Sequence, residues 1–247
     1  VSLIELQQSY IQGFRNSALT VVWIMLAGSI VAMFQYKGNK QTKQDIIVEI
    51  AAVYCHDDIR MNCESFSTTV YVDPDILKER GEEAFAVHGI SNDEINHGAN
   101  FKQVWLRFLK WIDDVVNSAT KYDSESDDDM AQPEILEDPV VVLVGHNSIR
   151  FDFPLLLCEL LRHNLPTAMF ERWHFTDTLH IFKDLNQYGC IKLQCLAKET
   201  NTDPGHCHRA LDDCITLREI TNIFAQRIGI STCLLYTSPS PRDQRGS

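Results

Sequence analysis

The chain has 247 residues, 45% of them apolar, and a formal net charge of −12. That length and apolar content suffice for one sizeable core plus extensions. The charge does not advertise a basic surface for nucleic acid, and it counts only weakly against a site that holds phosphates through metal ions.

Residues Ala18 to Phe34 form an apolar run broken by Thr20, Gly28 and Ser29. A membrane-spanning helix flanked by Arg15 and Lys37 would need about 20 apolar residues, so the run is short for one. A secretory signal fits less well, because Leu3 to Arg15 is a long polar lead and no small-x-small cleavage site follows. The reading adopted here ends a helix near Gly28 and makes Ser29 to Tyr36 a buried first strand. Asp45 to Cys55 and Ser67 to Val72 are the second and third strands, rich in β-branched residues. Asp73-Pro74-Asp75 turns the chain out, and Ser91-Asn92-Asp93-Glu94 is a helix-capping start. From Phe101 to Val116 a helix places Phe101, Val104, Trp105, Phe108, Leu109, Ile112, Val115 and Val116 on one face, the pattern of core packing.

Asp123 to Asp138 carries eight acids and no base, and reads as a solvated insertion without regular structure. Val140 to Val144 is a continuous apolar run, expected as a buried strand, with Phe153 to Leu161 a helix after it. Trp173 to Thr176 is a short strand, followed by helices to Leu185, over Lys192 to Glu199 and over Arg209 to Ile228. Three consecutive strands, then alternating helices and strands, describe an α/β domain with a mixed sheet flanked by helices.

The cysteines are Cys55, Cys63, Cys158, Cys190, Cys195, Cys207, Cys214 and Cys233, none in a C-x-x-C pair. Reduced thiols inside a cell are expected, with Cys55, Cys158 and Cys214 serving as small core residues. A zinc site from Cys190, Cys195, His206, Cys207 and His208 matches no common zinc spacing. The segment Cys233 to Asp243 has neither helical nor strand period. It matches, residue for residue, an in-frame translation of an adapter used in sequencing libraries. Residues 1–28 are therefore read as an extension, truncated or mis-assembled, 29–230 as the domain, and 231–247 as a non-native tail.

Two segments carry chemistry. Gly145-His146-Asn147-Ser148-Ile149-Arg150-Phe151-Asp152 puts an aspartate just past a strand end, at a helix start. His208-Arg209-Ala210-Leu211-Asp212-Asp213 puts a histidine five residues before an aspartate at the head of another helix. Carboxylates and a histidine on such elements are parts of a metal-dependent phosphodiester-cleaving site. Two Mg²⁺ ions about 3.5–4 Å apart can activate water and steady the leaving oxygen, and hard cations want several carboxylates.

From about Ser29 to Ile228 the chain resembles the DEDDh class of 3′–5′ exonucleases, which includes the proofreading subunit of bacterial DNA polymerase III and ribonuclease T. The resemblance rests on Ile46-Ile47-Val48-Glu49-Ile50-Ala51-Ala52-Val53, His88-Gly89-Ile90-Ser91, His146-Asn147-x-x-x-Phe151-Asp152, Asp177-Thr178-Leu179 and His208-Arg209-Ala210-x-x-Asp213. It implies a ribonuclease H-like fold, a Mg²⁺ (or Mn²⁺) cofactor, a nucleic-acid 3′ end (DNA or RNA) as partner, and an intracellular place. Membrane anchoring through 18–34 is the alternative. It also implies that Asp152 and Asp213 are metal ligands, that His208 is the general base and that Asn147 and Phe151 shape the nucleotide pocket. Asp212 is an alternative ligand, and Asp177 is structural.

The first motif departs from the family's Asp-x-Glu-Thr-Thr-Gly. Aligning its glycine with Gly38 puts Met33 and Gln35 at the two carboxylate positions, with Tyr36 and Lys37 in place of the threonines. Methionine is a soft donor that cannot replace a carboxylate on Mg²⁺, and Gln35 brings no charge. Two explanations stay open: a genuine loss, leaving a non-catalytic relative that binds nucleic acid or protein, or an error of splicing or assembly across the first 38 residues. In either case the expectation for this exact chain is impaired hydrolysis.

Overall fold

The computed structural model describes residues 21–25, 30–32, 46–55, 64–124, 140–185, 189–206 and 208–229. Its centre is a six-stranded mixed sheet. The strands are β1 (Val21–Met25), β2 (Ile30–Ala32), β3 (Ile47–Cys55), β4 (Ser65–Thr69), β5 (Val140–Gly145) and β6 (His174–Asp177). β4 runs antiparallel along one edge of β3. β1 and β2 lie end to end along the other edge, β1 opposite Val53 to Cys55 and β2 opposite Ile47 to Ile50. β1 then pairs in parallel with β5, and β5 with β6.

The expected mixed α/β fold is present, but its first strand begins earlier than the sequence reading had it. Val21–Met25 is a strand in the sheet, not part of a helix ending near Gly28. β-branched Val21, Val22 and Ile24 suit an extended backbone, and pairing on both sides, with β3 and β5, satisfies its peptide groups. Within the run 18–34 the described pieces, Val21–Met25 and Ile30–Ala32, are strands rather than helix. No helix among the described residues is long and apolar enough to cross a membrane.

Both faces of the sheet are covered, which is why β5 reads as an unbroken apolar run. Val141 and Leu143 point to one face, packing with Ile50 and Ala52 against α3 (Phe101–Ser124) and α4 (Asp152–Arg162). Val142 and Val144 point to the other. There they meet Phe182 of α5 (Thr178–Leu185), Leu196 of α6 (Leu193–Thr200), and Leu217, Ile220 and Phe224 of α7 (Ala210–Ile228). On that second face Ala51 and Val53 receive Ala210 and Cys214, so the head of α7 sits close against β3. Small residues at three of the four positions, Ala51, Ala210 and Cys214, permit that approach.

The helix predicted from Phe101 is present and runs on to Ser124, two residues into the stretch expected to lack regular structure. The rest of 123–138 and the tail 233–247 lie outside the described residues. One helix was missed: Asp73-Pro74-Asp75 is not a plain turn but the start of α1 (Pro74–His88), with Pro74 in the first helical turn. The Asp73 carboxylate accepts from the Asp75 N–H at 2.9 Å. Gly89, at φ 67°, closes that helix in the left-handed conformation glycine adopts at least cost. The capping start at Ser91 is present, its Oγ accepting from Glu94 N at 3.1 Å, ahead of the short α2 (Asn92–Asn96).

Candidate functional site

The site lies at the end of the sheet where β5 finishes and α4 and α7 begin. Asp177, at the end of β6, builds the approach to α4. Its carboxylate accepts from the N–H groups of Asn147 (2.7 Å), Ile149 (3.2 Å) and Leu179 (2.9 Å). Asn147 is thereby held at φ 62°, a left-handed conformation that asparagine tolerates better than most residues. Asp177 is thus a buried brace for the loop, as its resemblance implied. His146 is the second brace. Burial lowers its pKa, so the ring is neutral; Nε2 then donates to the Ile191 carbonyl (2.8 Å) and Nδ1 accepts from the Thr178 hydroxyl (2.9 Å).

This loop delivers Asp152 into the first turn of α4, buried at 7% exposure. Asp213 sits in the first turn of α7, also buried. Both carboxylates act on one point, the Cys214 thiol. Burial pushes that thiol's pKa up, and the charges of Asp213 and Asp152 push it further. Asp213 itself is pushed up to about 7, chiefly by burial and then by Asp212 and Glu49, against a lowering hydrogen bond from the His208 backbone. Phe151, next to Asp152, is half exposed, and His208 is exposed at φ 69° just ahead of α7.

The neighbouring acid, Asp212, is turned away: its Oδ2 accepts from His206 N at 2.9 Å and closes the loop before α7. Gly205 passes so close that a Cβ there would meet the Asp212 Cγ at 3.0 Å. The two adjacent aspartates therefore differ in work: Asp212 closes the loop, while Asp213 is buried in the first turn of α7.

Sequence reasoning missed the groups that seat α7. Glu49 on β3, 2% exposed, accepts from the Ala210 N–H (2.8 Å) and from Arg209 (2.9 Å). Arg209 also reaches Glu94 on α2 at 2.9 Å. Glu49 thus caps α7 from another element, while Arg209 itself makes no side-chain cap. It is committed to that pairing and does not stand free as a metal donor. The Ile-Val-Glu-Ile strand and the Arg beside His208 were visible; that they pair across 160 residues was not.

Met33 and Gln35 lie outside the described residues. By register Val31 opposes Glu49, so the first-strand positions level with the head of α7 are Ile30 and Val31. The precise alignment matters little, because no Asp or Glu occurs between Glu5 and Asp45. Mg²⁺ pairs need several hard oxygen donors from different elements. Asp152 and Asp213 supply two, Glu49 is engaged, and no cluster of three or more potential metal-holding side chains occurs among the described residues. The described residues do not fit a two-metal centre.

The cysteines bring a correction. Cys190 and Cys195 form a disulfide, their Cα atoms 5.7 Å apart across the head of α6, so the expectation of reduced thiols fails for this pair. Neither is available to the zinc site considered above, and Cys207 lies outside the described residues.

The exonuclease family model described as RNase T matches residues 36–126. The match starts beyond Met33 and Gln35 and ends before Asp152. No curated protein sequence matches the chain. The fold is similar to that of the nuclease domain of 3′hExo, a DEDDh family member, with a TM-score of 0.62 and 15% identity, covering 86% of this chain and 95% of that one. Cell-death related nuclease 4 follows with a TM-score of 0.56 and 14% identity, covering 84% and 64%. Exonuclease I has a TM-score of 0.57 and 14% identity, covering 88% of this chain and 42% of that one. The family match is a likeness to exonucleases over residues 36–126, and these folds bear out the expected architecture, a mixed sheet flanked by helices.

Proposed function

We infer that this chain is an exonuclease-type domain for the 3′ ends of nucleic acid whose own hydrolysis is impaired. The observation that carries the reading is two buried carboxylates in first helical turns, Asp152 and Asp213, in a chain that has no acid between Glu5 and Asp45 to complete the set. In the full reaction Mg²⁺ or Mn²⁺ would supply the activated water and the charge on the leaving oxygen. Here Asp152 and Asp213 would hold at most one such ion weakly. His208 would be the base, exposed at the mouth of the site, and Asn147 with Phe151 would flank the terminal nucleotide, the half-exposed ring offering a stacking face. Neighbouring folds were solved with rAMP and with a dA16 oligonucleotide, which supports a nucleic-acid ligand. The acid-poor first strand also favours a second reading, a non-catalytic domain that binds nucleic acid or protein through the same surface.

The test is fluorescence anisotropy with 5′-labelled oligonucleotides that end in a free 3′-OH or in a 3′-phosphate. End recognition predicts weaker binding to the blocked 3′ end, and further weakening by Phe151→Ala. Binding that ignores the 3′ end, or no binding at all, contradicts the proposal; the latter result favours a protein partner.

A further inference from the structure

We propose that the Cys190–Cys195 disulfide is a redox-sensitive clasp that stiffens the loop carrying His146, Asn147 and Asp152. The bond closes a five-residue span at the head of α6. Inside that span lies Ile191. Its side chain packs with the cluster of Val142, Val144 and Leu196, and its carbonyl accepts from His146 Nε2 at 2.8 Å. His146 in turn is tied to Thr178, and its neighbours Asn147 and Ile149 hang from the Asp177 carboxylate. A clasp that fixes Ile191 therefore fixes the acceptor on which the His146 ring rests. That ring opens the segment ending in Asp152.

The clasp is reachable. Cys190 is exposed and Cys195 half-buried, whereas Cys55 and Cys214 are buried thiols. A dithiol reductant opens it in two steps. One thiolate of the reductant attacks Cys190 Sγ, the S–S bond breaks, and Cys195 leaves as a thiolate that takes up a proton. The second thiol of the reductant then closes its own ring disulfide and releases Cys190 as a thiol. Two electrons pass from reductant to protein, and two protein thiols form. A cross-link restricts the open ensemble of the segment it spans, so its loss shows first as faster local opening. The inference holds whether or not Asp152 binds a metal.

The experiment is hydrogen–deuterium exchange on the full chain, with and without dithiothreitol. Reduction is expected to speed exchange of the Asn147 and Ile149 amides by about tenfold or more, leaving the β3 and α7 amides unchanged. Cys190→Ser with Cys195→Ser should exchange at the reduced rate whatever the reductant. His146→Gln, with the disulfide intact, should speed the same two amides. Equal rates with and without dithiothreitol would overturn the clasp. So would acceleration spread evenly through β3 and α7, or alkylation of both cysteines without reductant after equilibration with oxidised glutathione.

Discussion

Replacing Arg209 by leucine tests whether the head of α7 is seated by a buried charge pair. Arg209 donates to Glu49 Oε1 from two nitrogens, at 2.9 and 3.3 Å, and to Glu94 at 2.9 Å. The Glu49 side chain is 3% exposed and that of Arg209 34%. Removing one partner of a buried pair costs about 3–5 kcal/mol, because the other charge stays buried and unpaired. Two features lower the figure: water reaches one third of Arg209, and Glu49 keeps the Ala210 N–H. A loss of about 2–3 kcal/mol follows, somewhat below the range for a fully buried pair. With a urea dependence of about 1–3 kcal/mol per molar, the midpoint of unfolding should fall by roughly 1–2 M. Arg209→Lys keeps the charge but not the fork and should recover part of the loss. Adding Glu49→Gln to Arg209→Leu should also recover part, since no charge is then stranded. A loss below about 1 kcal/mol, the range of exposed ion pairs, would refute the argument. Failure of the double variant to regain any stability would refute it too.

Asp213→Asn should stabilise the fold at pH 8 in EDTA by up to about 4 kcal/mol. The folded carboxyl is raised from 3.8 to about 7, so its penalty grows as pH climbs through that window and is complete above it; equal midpoints at pH 8 would contradict this. His146 works in the opposite sense. Its folded pKa lies below 6.5, so the unfolded chain binds the extra proton first and stability falls as pH drops below about 6.5. His146→Gln should flatten that slope between pH 6.5 and 5 in urea titrations. Phe108, fully enclosed by Phe66, Trp105 and Trp111, should cost about 3–5 kcal/mol as alanine, read as a fall in the thermal midpoint.

The elements that were legible in the sequence are those whose burial imposes a period. Trp105, Phe108 and Ile112 recur on one helical face, and Val140 to Val144 is apolar because both sides of β5 are covered. α1 escaped notice because it has no such stripe: Ile76 and Leu77 pack inward, while Phe85 and Val87 stay exposed. The start of the first strand was misplaced because Ala18 to Phe34 is apolar without period, so composition alone could not choose between helix and strand. The motifs pointed to Asp152 and Asp213, and both lie buried in first helical turns. The supports could not be read in the same way: Asp177 reaches back 30 residues to Asn147, and Glu49 reaches forward to Arg209 and Ala210. The Cys190–Cys195 spacing carries no disulfide signature, and the turn that brings the two together exists only in the fold.

The central claim is that Asp152 and Asp213, with no acid on the first strand and with Glu49 and Asp177 engaged elsewhere, leave two-metal hydrolysis impaired. Losing the stabilisation of a second ion is worth several kcal/mol, and each 1.36 kcal/mol is about tenfold in rate. The direct measurement is release of mononucleotides from a 3′-labelled oligonucleotide by the purified chain in Mg²⁺ or Mn²⁺, with and without EDTA. The account predicts release at the level of the no-protein control. Strong EDTA-sensitive release that Asp213→Ala abolishes would contradict it, and would mean that a carboxylate outside the first strand completes the site.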